Sequence, residues 1–131
     1  MAKIFTNYRI KDLELKNRIV MPPMCMYSAD NEGNISDWHV VHYGTRAVGG
    51  VGLIMVEATA VEPRGRISDM DLGIWNDNHI AGLKEIVNIV HKNGAKIGIQ
   101  IGHAGRKSTV EYMESLAPSG IAFSEELQTP K

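Results

Sequence analysis

Hydrophobic and polar positions along the 131-residue chain switch repeatedly between two periods. Short contiguous apolar runs alternate with stretches where apolar residues recur every three or four positions, which is the pattern of β/α units on a parallel sheet. Arg18-Ile19-Val20-Met21 reads as strand one, halted by Pro22-Pro23, since proline cannot donate to a ladder. A polar loop from Ser28 to Asn34 follows, and Ser36 or Asp37 suits the N-cap of a helix over 38–48 that Gly49-Gly50 stops. Leu53-Ile54-Met55-Val56 is continuous, as expected of a strand covered by helices. A long polar loop, Glu62 to Trp75, leads to Asp77, which is placed to cap a second helix. Ile80, Leu83, Val87 and Val90 share one face of that helix, Ile86 widens the stripe, and Asn93-Gly94 ends it. The third strand, Lys96 to Ile101, alternates: Ile97, Ile99 and Ile101 on one side, Gly98, Gln100 and Gly102 on the other. Ile10, Leu13 and Leu15 alternate weakly and predict a short β-hairpin ahead of strand one. From His103 onward, Pro118, Gly120 and Pro130 predict loop.

Strand starts near residues 19, 53 and 97 make three β/α units. A closed eight-fold barrel needs ~250 residues. The expected fold class is therefore α/β, an incomplete barrel of three units within one domain over 1–131, with no internal boundary. Two open sheet edges favour a homo-oligomer.

Composition narrows the function classes. Hydrophobic residues make up 44% and the formal net charge is −1, with no basic run. That balance gives no electrostatic reason to expect nucleic acid or an anionic membrane, so a small molecule is the expected partner. The single cysteine, Cys25, excludes an intrachain disulfide and suits a reducing cytosol. The stretch from Met1 to Arg18 lacks the apolar core of a signal peptide, and Ala47 to Val56 is glycine-broken and too short to span a bilayer. The expected location is cytoplasmic.

Ligands of parallel α/β folds sit at the carboxyl ends of the strands. Those ends carry Pro22-Pro23-Met24-Cys25-Met26-Tyr27, then Glu57-Ala58-Thr59-Ala60, then Gln100 and Gly102-His103-Ala104-Gly105-Arg106. Pro23, Met24, Cys25 and Ala58 are small, flat or soft enough to lie against a planar aromatic ring system. Gln100 offers a donor and an acceptor on a glycine-lined face. A flavin presents a matching surface, an apolar plane with an edge of alternating donors and acceptors; the other reading has Gln100 bonding loop backbone. Cys25 is either a small buried hydrophobe or a polarizable ligand contact. With no lysine, arginine or histidine within three positions, nothing adjacent activates it as a nucleophile. The Tyr27 hydroxyl can reach a substrate carbonyl, or its ring can pack at the rim. His103 and Arg106 suit an anion or, more simply, loop bracing. His39 and His42 lie three apart on a helix, but nothing completes a metal set, so no metal site is expected. Gly49-Gly50-Val51-Gly52 precedes a strand instead of following one, which excludes a dinucleotide fingerprint.

The ordered blocks Leu15 to Tyr27, His42-Tyr43 through Ile54, Val56-Glu57-Ala58 through Gly65-Arg66, and Gly98-Ile99-Gln100-Ile101 with His103 to Lys107 resemble the old yellow enzyme family. The cysteine-containing version resembles its bacterial, thermophilic-like subgroup. The resemblance implies a TIM (β/α)8 barrel binding FMN, reduced by NADPH or NADH, and passing hydride from flavin N5 to the β-carbon of an α,β-unsaturated carbonyl compound. It matches Pro22, Pro23, Met24 and Cys25 to the flavin-contacting loop, Ala58 to the flavin edge, Gln100 to the pyrimidine ring and Tyr27 to substrate. The family's substrate-oxygen ligands, tyrosine proton donor and phosphate site match no position here and are expected beyond Lys131. No catalytic residue is therefore expected in this segment. The alternative is a non-catalytic barrel fragment serving assembly or interaction.

Overall fold

The computed structural model describes residues 2–131. Among these, the elements run β1 (Tyr8–Ile10), β2 (Leu13–Leu15), β3 (Val20–Met21), α1 (Asp37–Val48), β4 (Leu53–Ala60), β5 (Leu72–Gly73), α2 (Ile80–Lys92) and β6 (Lys96–Gly102). Single 3-10 turns lie at Lys3–Phe5, Pro63–Gly65, Asp77–His79 and Gly105–Lys107. The predicted hairpin is present: β1 and β2 pair antiparallel, Tyr8 opposite Leu15, around Lys11 at φ 51°.

β4 organises the main sheet. β6 pairs parallel along one edge from Leu53↔Lys96 to Ala60↔Gly102. β3 and β5 share the other edge, also parallel, with Met21↔Ile54 near its start and Thr59↔Leu72 near its end. β3 stops after two residues because Pro22 has no N–H to continue the ladder.

One face of this sheet is covered. Ile54 and Val56 of β4 meet Tyr43 and Ala47 of α1 and Ile86 and Val90 of α2, with Ile97 and Ile99 packed alongside. Burying side chains of this size contributes ~1.5–3 kcal/mol each. Alternation puts Met55, Gly98 and Gln100 on the opposite face. A Cβ on Gly98 would stand 2.7 Å from Met55 Sδ, so glycine makes room for the methionine crossing it. α1 starts from Ser36, whose backbone N–H donates to His39 Nδ1 at 3.1 Å.

Four features depart from the sequence reading. Strand two covers eight residues, not four, because its register shifts between Val56 and Ala58: Val56 pairs with Ile99, Ala58 with Gln100, and Glu57 is left over as a bulge. The stretch 62–75 is not wholly loop, since β5 sits inside it; a two-residue strand is too short to show a period. Asp77 does not cap the second helix. Asn76 caps the 3-10 turn Asp77–His79 instead, accepting from the Asn78 N–H at 2.8 Å, and that turn leads into α2 through His79, which makes no side-chain cap. Ile86 and Val90 form the buried face of α2, whereas Ile80, Leu83 and Val87 share its more exposed flank, Leu83 and Val87 lining an apolar groove of about 240 Å3 with Ile97 and Ile99. The groove adjoins the unpaired edge of β6, where Ile101 is 63% exposed.

The stretch 62–75 is fastened by Arg66. Its buried guanidinium donates to the carbonyls of Pro63, Asn31 and Asp69 and to the Tyr112 hydroxyl, and it lies over the Trp75 ring.

Ile54 is 0% exposed and Val48 is 72% exposed. Ile54→Ala is expected to lower stability by about 2–5 kcal/mol, whereas Val48→Ala should stay within about 0.5 kcal/mol of wild type, as read by denaturant unfolding.

Candidate functional site

The carboxyl ends of β3, β4 and β6 meet through residues adjacent in sequence. Beyond β3, the Met26 N–H donates to Glu57 Oε2 at 2.8 Å. One position earlier, the Cys25 thiol lies beside the Ala58 backbone N–H. Ala58 in turn is the register partner of Gln100. Thiol, small methyl and carboxamide therefore form a row across three strand tips, on one side of the molecule.

That row borders a cleft of about 160 Å3 whose walls include Ala58, Ala60, Ile67, Asp71, Gln100 and Gly102. The volume is below the ~300–1,000 Å3 of a complete ligand site. What this chain builds is one wall. Gly102 has open space where a Cβ would stand, and Gln100 is exposed at the cleft instead of buried beneath a loop. Pro23 is half-buried, and Pro22, Met24 and Tyr27 are exposed. Tyr27 holds φ at 51°, a left-handed conformation uncommon for a bulky residue. Small, flat and soft groups with one amide at the edge fit the face of a planar heterocycle.

Electrostatics keep the Cys25 thiol neutral. Burial pushes the Cys25 thiol up from its ordinary value, and the Asp71 and Glu57 carboxylates add to this; the Ala58 N–H works against them. The thiol thus stays protonated at neutral pH. Asp71 is itself raised by burial, although the N–H groups of Ile67 and Ser68 donate to it at 2.6 and 3.4 Å. The Tyr27 hydroxyl is raised chiefly by an ionised Cys25 beside it.

Other candidates resolve into structural roles. His103 does not pair with Arg106. Its Nε2 bonds Glu62 Oε1 at 2.8 Å and its Nδ1 accepts from the Gly105 N–H, while Arg106 lies over the Phe123 ring. His39 and His42 are both buried in the layer between α1 and the sheet. Burial lowers the pKa of His42, and Arg46 lowers it further. Lys131 lines no part of the cleft. Its Nζ pairs with Glu114 Oε1 at 2.6 Å, its N–H donates to the Ser115 carbonyl, and its carbonyl accepts from the Ala117 N–H. Those contacts make Lys131 a local brace of the stretch that follows β6 and give it no share in the ligand wall.

Glu57, not among the candidate residues of the sequence, is 1% exposed. Its Oε1 accepts from the Tyr43 hydroxyl at 3.1 Å and lies 3.4 Å from His39 Nε2. A signal was available: a lone acid directly after an apolar run is almost never buried without partners. Asp71 had no such signal, because it sits in an aperiodic polar stretch.

Parallel β/α units with a ligand wall at their carboxyl ends define the opening part of an α/β barrel. The profile of the NADH:flavin oxidoreductase / NADH oxidase family matches residues 3–130, and the chain belongs to that family. It is 60% identical over 129 residues to an NADPH dehydrogenase of Clostridium acetobutylicum and to another of Geobacillus sp. (strain WCH70), in each case over 98% of this chain. It spans 38% of the length of either relative. The crystal structure of Old Yellow Enzyme from Pichia sp. AKU4542 superposes with a TM-score of 0.85 at 30% identity, over 95% of this chain and 33% of that one. The fold is thus the N-terminal portion of a TIM barrel of the old yellow enzyme type.

Glu62 supplies a test of the rim. Its carboxyl is held below the usual range by hydrogen bonds from His103 and then Arg64. A depressed pKa means that the stabilisation is present above the ordinary carboxylate value, about 4.3, and is lost as pH falls through the folded-state value. Glu62→Gln is expected to melt below wild type at pH 7. The gap should close progressively below about pH 4 in thermal scans at stepped pH.

Proposed function

We propose that the full-length protein is an FMN-dependent oxidoreductase of the ene-reductase type, and that this chain supplies one wall of its flavin site. Bound FMN supplies reversible hydride chemistry, between NADPH or NADH and the β-carbon of an α,β-unsaturated carbonyl compound. The observation that carries this reading is the row Cys25–Ala58–Gln100 across three strand tips. Relatives named NADPH dehydrogenase favour NADPH as donor.

Each residue then has a definite task. The Gln100 carboxamide pairs with the donor and acceptor edge of the pyrimidine ring. Pro22, Pro23, Met24 and Cys25 lie along the ring plane, and Ala58 lets it approach the strand. Because burial keeps the Cys25 thiol protonated, it acts as a neutral polarizable contact and not as a covalent nucleophile. Tyr27 projects from the same loop, and its hydroxyl is placed to donate to a substrate carbonyl. The single thiol, without a disulfide partner, fits a cytosolic protein.

The full-length protein is expected to purify yellow, to bleach anaerobically with NADPH, and to recover its colour on addition of a cyclic enone. A protein that stays colourless after incubation with FMN would overturn the reading. Gln100→Ala should weaken FMN retention on the order of tenfold in equilibrium dialysis, the loss of one buried amide pairing. Unchanged retention would mean that Gln100 serves the loop backbone instead.

A further inference from the structure

Glu57 and Ala58 are consecutive residues at the β4 bulge, and they lie against consecutive residues of the loop beyond β3, with Glu57 supplying the hydrogen bond. Ala58 presents its N–H to the Cys25 thiol, and the Glu57 carboxylate takes the Met26 N–H at 2.8 Å. The carboxylate is in turn fixed from α1. Tyr43 donates its hydroxyl to Glu57 Oε1 at 3.1 Å and accepts the Glu57 backbone N–H at 3.0 Å. His39 Nδ1 accepts from the Ser36 N–H, which places the ring proton on Nε2, and Nε2 faces Glu57 Oε1 at 3.4 Å. Two hydrogen-bond donors, the Met26 N–H and the Tyr43 hydroxyl, thus converge on one buried acid, with the His39 ring facing it. Met26 is held a second time, its sulfur accepting the Trp38 Nε1–H at 3.3 Å. Both neighbours of Met26 are the groups that face the ligand: Cys25 on one side, and Tyr27 in its left-handed conformation on the other.

We infer that Glu57 is a positioning residue, which sets the Cys25 thiol and the Tyr27 hydroxyl against the ligand by holding the Met26 backbone between them. Glutamine in its place keeps the shape but offers one acceptor oxygen for donors arriving at two. Alanine removes the strap entirely. For the flavin-tuning part of its effect, the inference rests on the function proposed above; for the placement of the loop it does not.

The test uses the full-length protein, with Glu57→Gln and the more drastic Glu57→Ala so that a misfolded variant does not end the experiment. In FMN-free protein, the alkylation rate of Cys25 by a small maleimide is followed against pH. Glu57→Gln is expected to raise the limiting rate at high pH roughly tenfold, as the loop leaves its place. A variant that merely shifts the pH midpoint, with the same limiting rate, would reduce Glu57 to a nearby charge and overturn the inference. In FMN-loaded protein, Glu57→Gln should shift the flavin midpoint potential in a wild-type background, and the shift should vanish in a Cys25→Ala background. Additive shifts would show that Glu57 does not act through the thiol and would likewise overturn it. Failure of the protein to bind FMN sinks the proposed function alone, because the alkylation arm still decides the role of Glu57.

Discussion

A carboxylate withdrawn from water costs several kcal/mol unless donors replace its hydration. Glu57 meets that condition with the Tyr43 hydroxyl and the Met26 N–H, and the His39 ring faces it at 3.4 Å. Much else follows from the requirement. The acid must reach α1, so it leaves the pleat as a bulge, with Val56 before it also directed at the helices. The extra residue resets parity for the remainder of β4. Without it, Ala58 would face the helical layer; with it, Ala58 stands beside Gln100 on the open face. A single inserted position therefore both anchors the sheet to α1 and turns the strand tip toward the cleft.

Most of the architecture was legible because it depends on periodicity. The alternation of Ile97, Ile99 and Ile101 against Gly98, Gln100 and Gly102 is a statement about which residues share a face, and β6 pairs along β4 without a bulge of its own to disturb it. The helix stops at Gly49-Gly50 and Asn93-Gly94, and the strand stop at Pro22, are local backbone effects that read directly from residue type. What escaped is non-local. The continuation of β4 past Val56 depends on partners for Glu57 that lie on α1 and in the loop beyond β3. β5 exists because Leu72 finds Thr59 where β3 has already ended. Asp77 lies inside the turn that precedes α2 and so does not cap it; Asn76 caps that turn, and α2 itself starts without a side-chain cap.

The candidate site divides in the same way. Gln100 was recognisable from strand-face parity, and Cys25 from its place just past a Pro-Pro stop. Neither signal revealed that the two are linked through Ala58, since that link needs the register of β4 against β6. Asp71 joins the cleft wall from a stretch with no pattern of its own, held there by the Ile67 and Ser68 N–H groups. Polar residues of irregular loops acquire neighbours only once the sheet beneath them exists.

Arg66 carries a consequence for motion at the cleft. Its one guanidinium collects oxygen atoms from residues 31, 63, 69 and 112, and a planar five-donor fork cannot release one of them without reorienting toward the rest. Segments far apart in sequence are thereby made a single mechanical plate. Loosening any one of these stretches therefore strains the hydrogen bonds that hold the others.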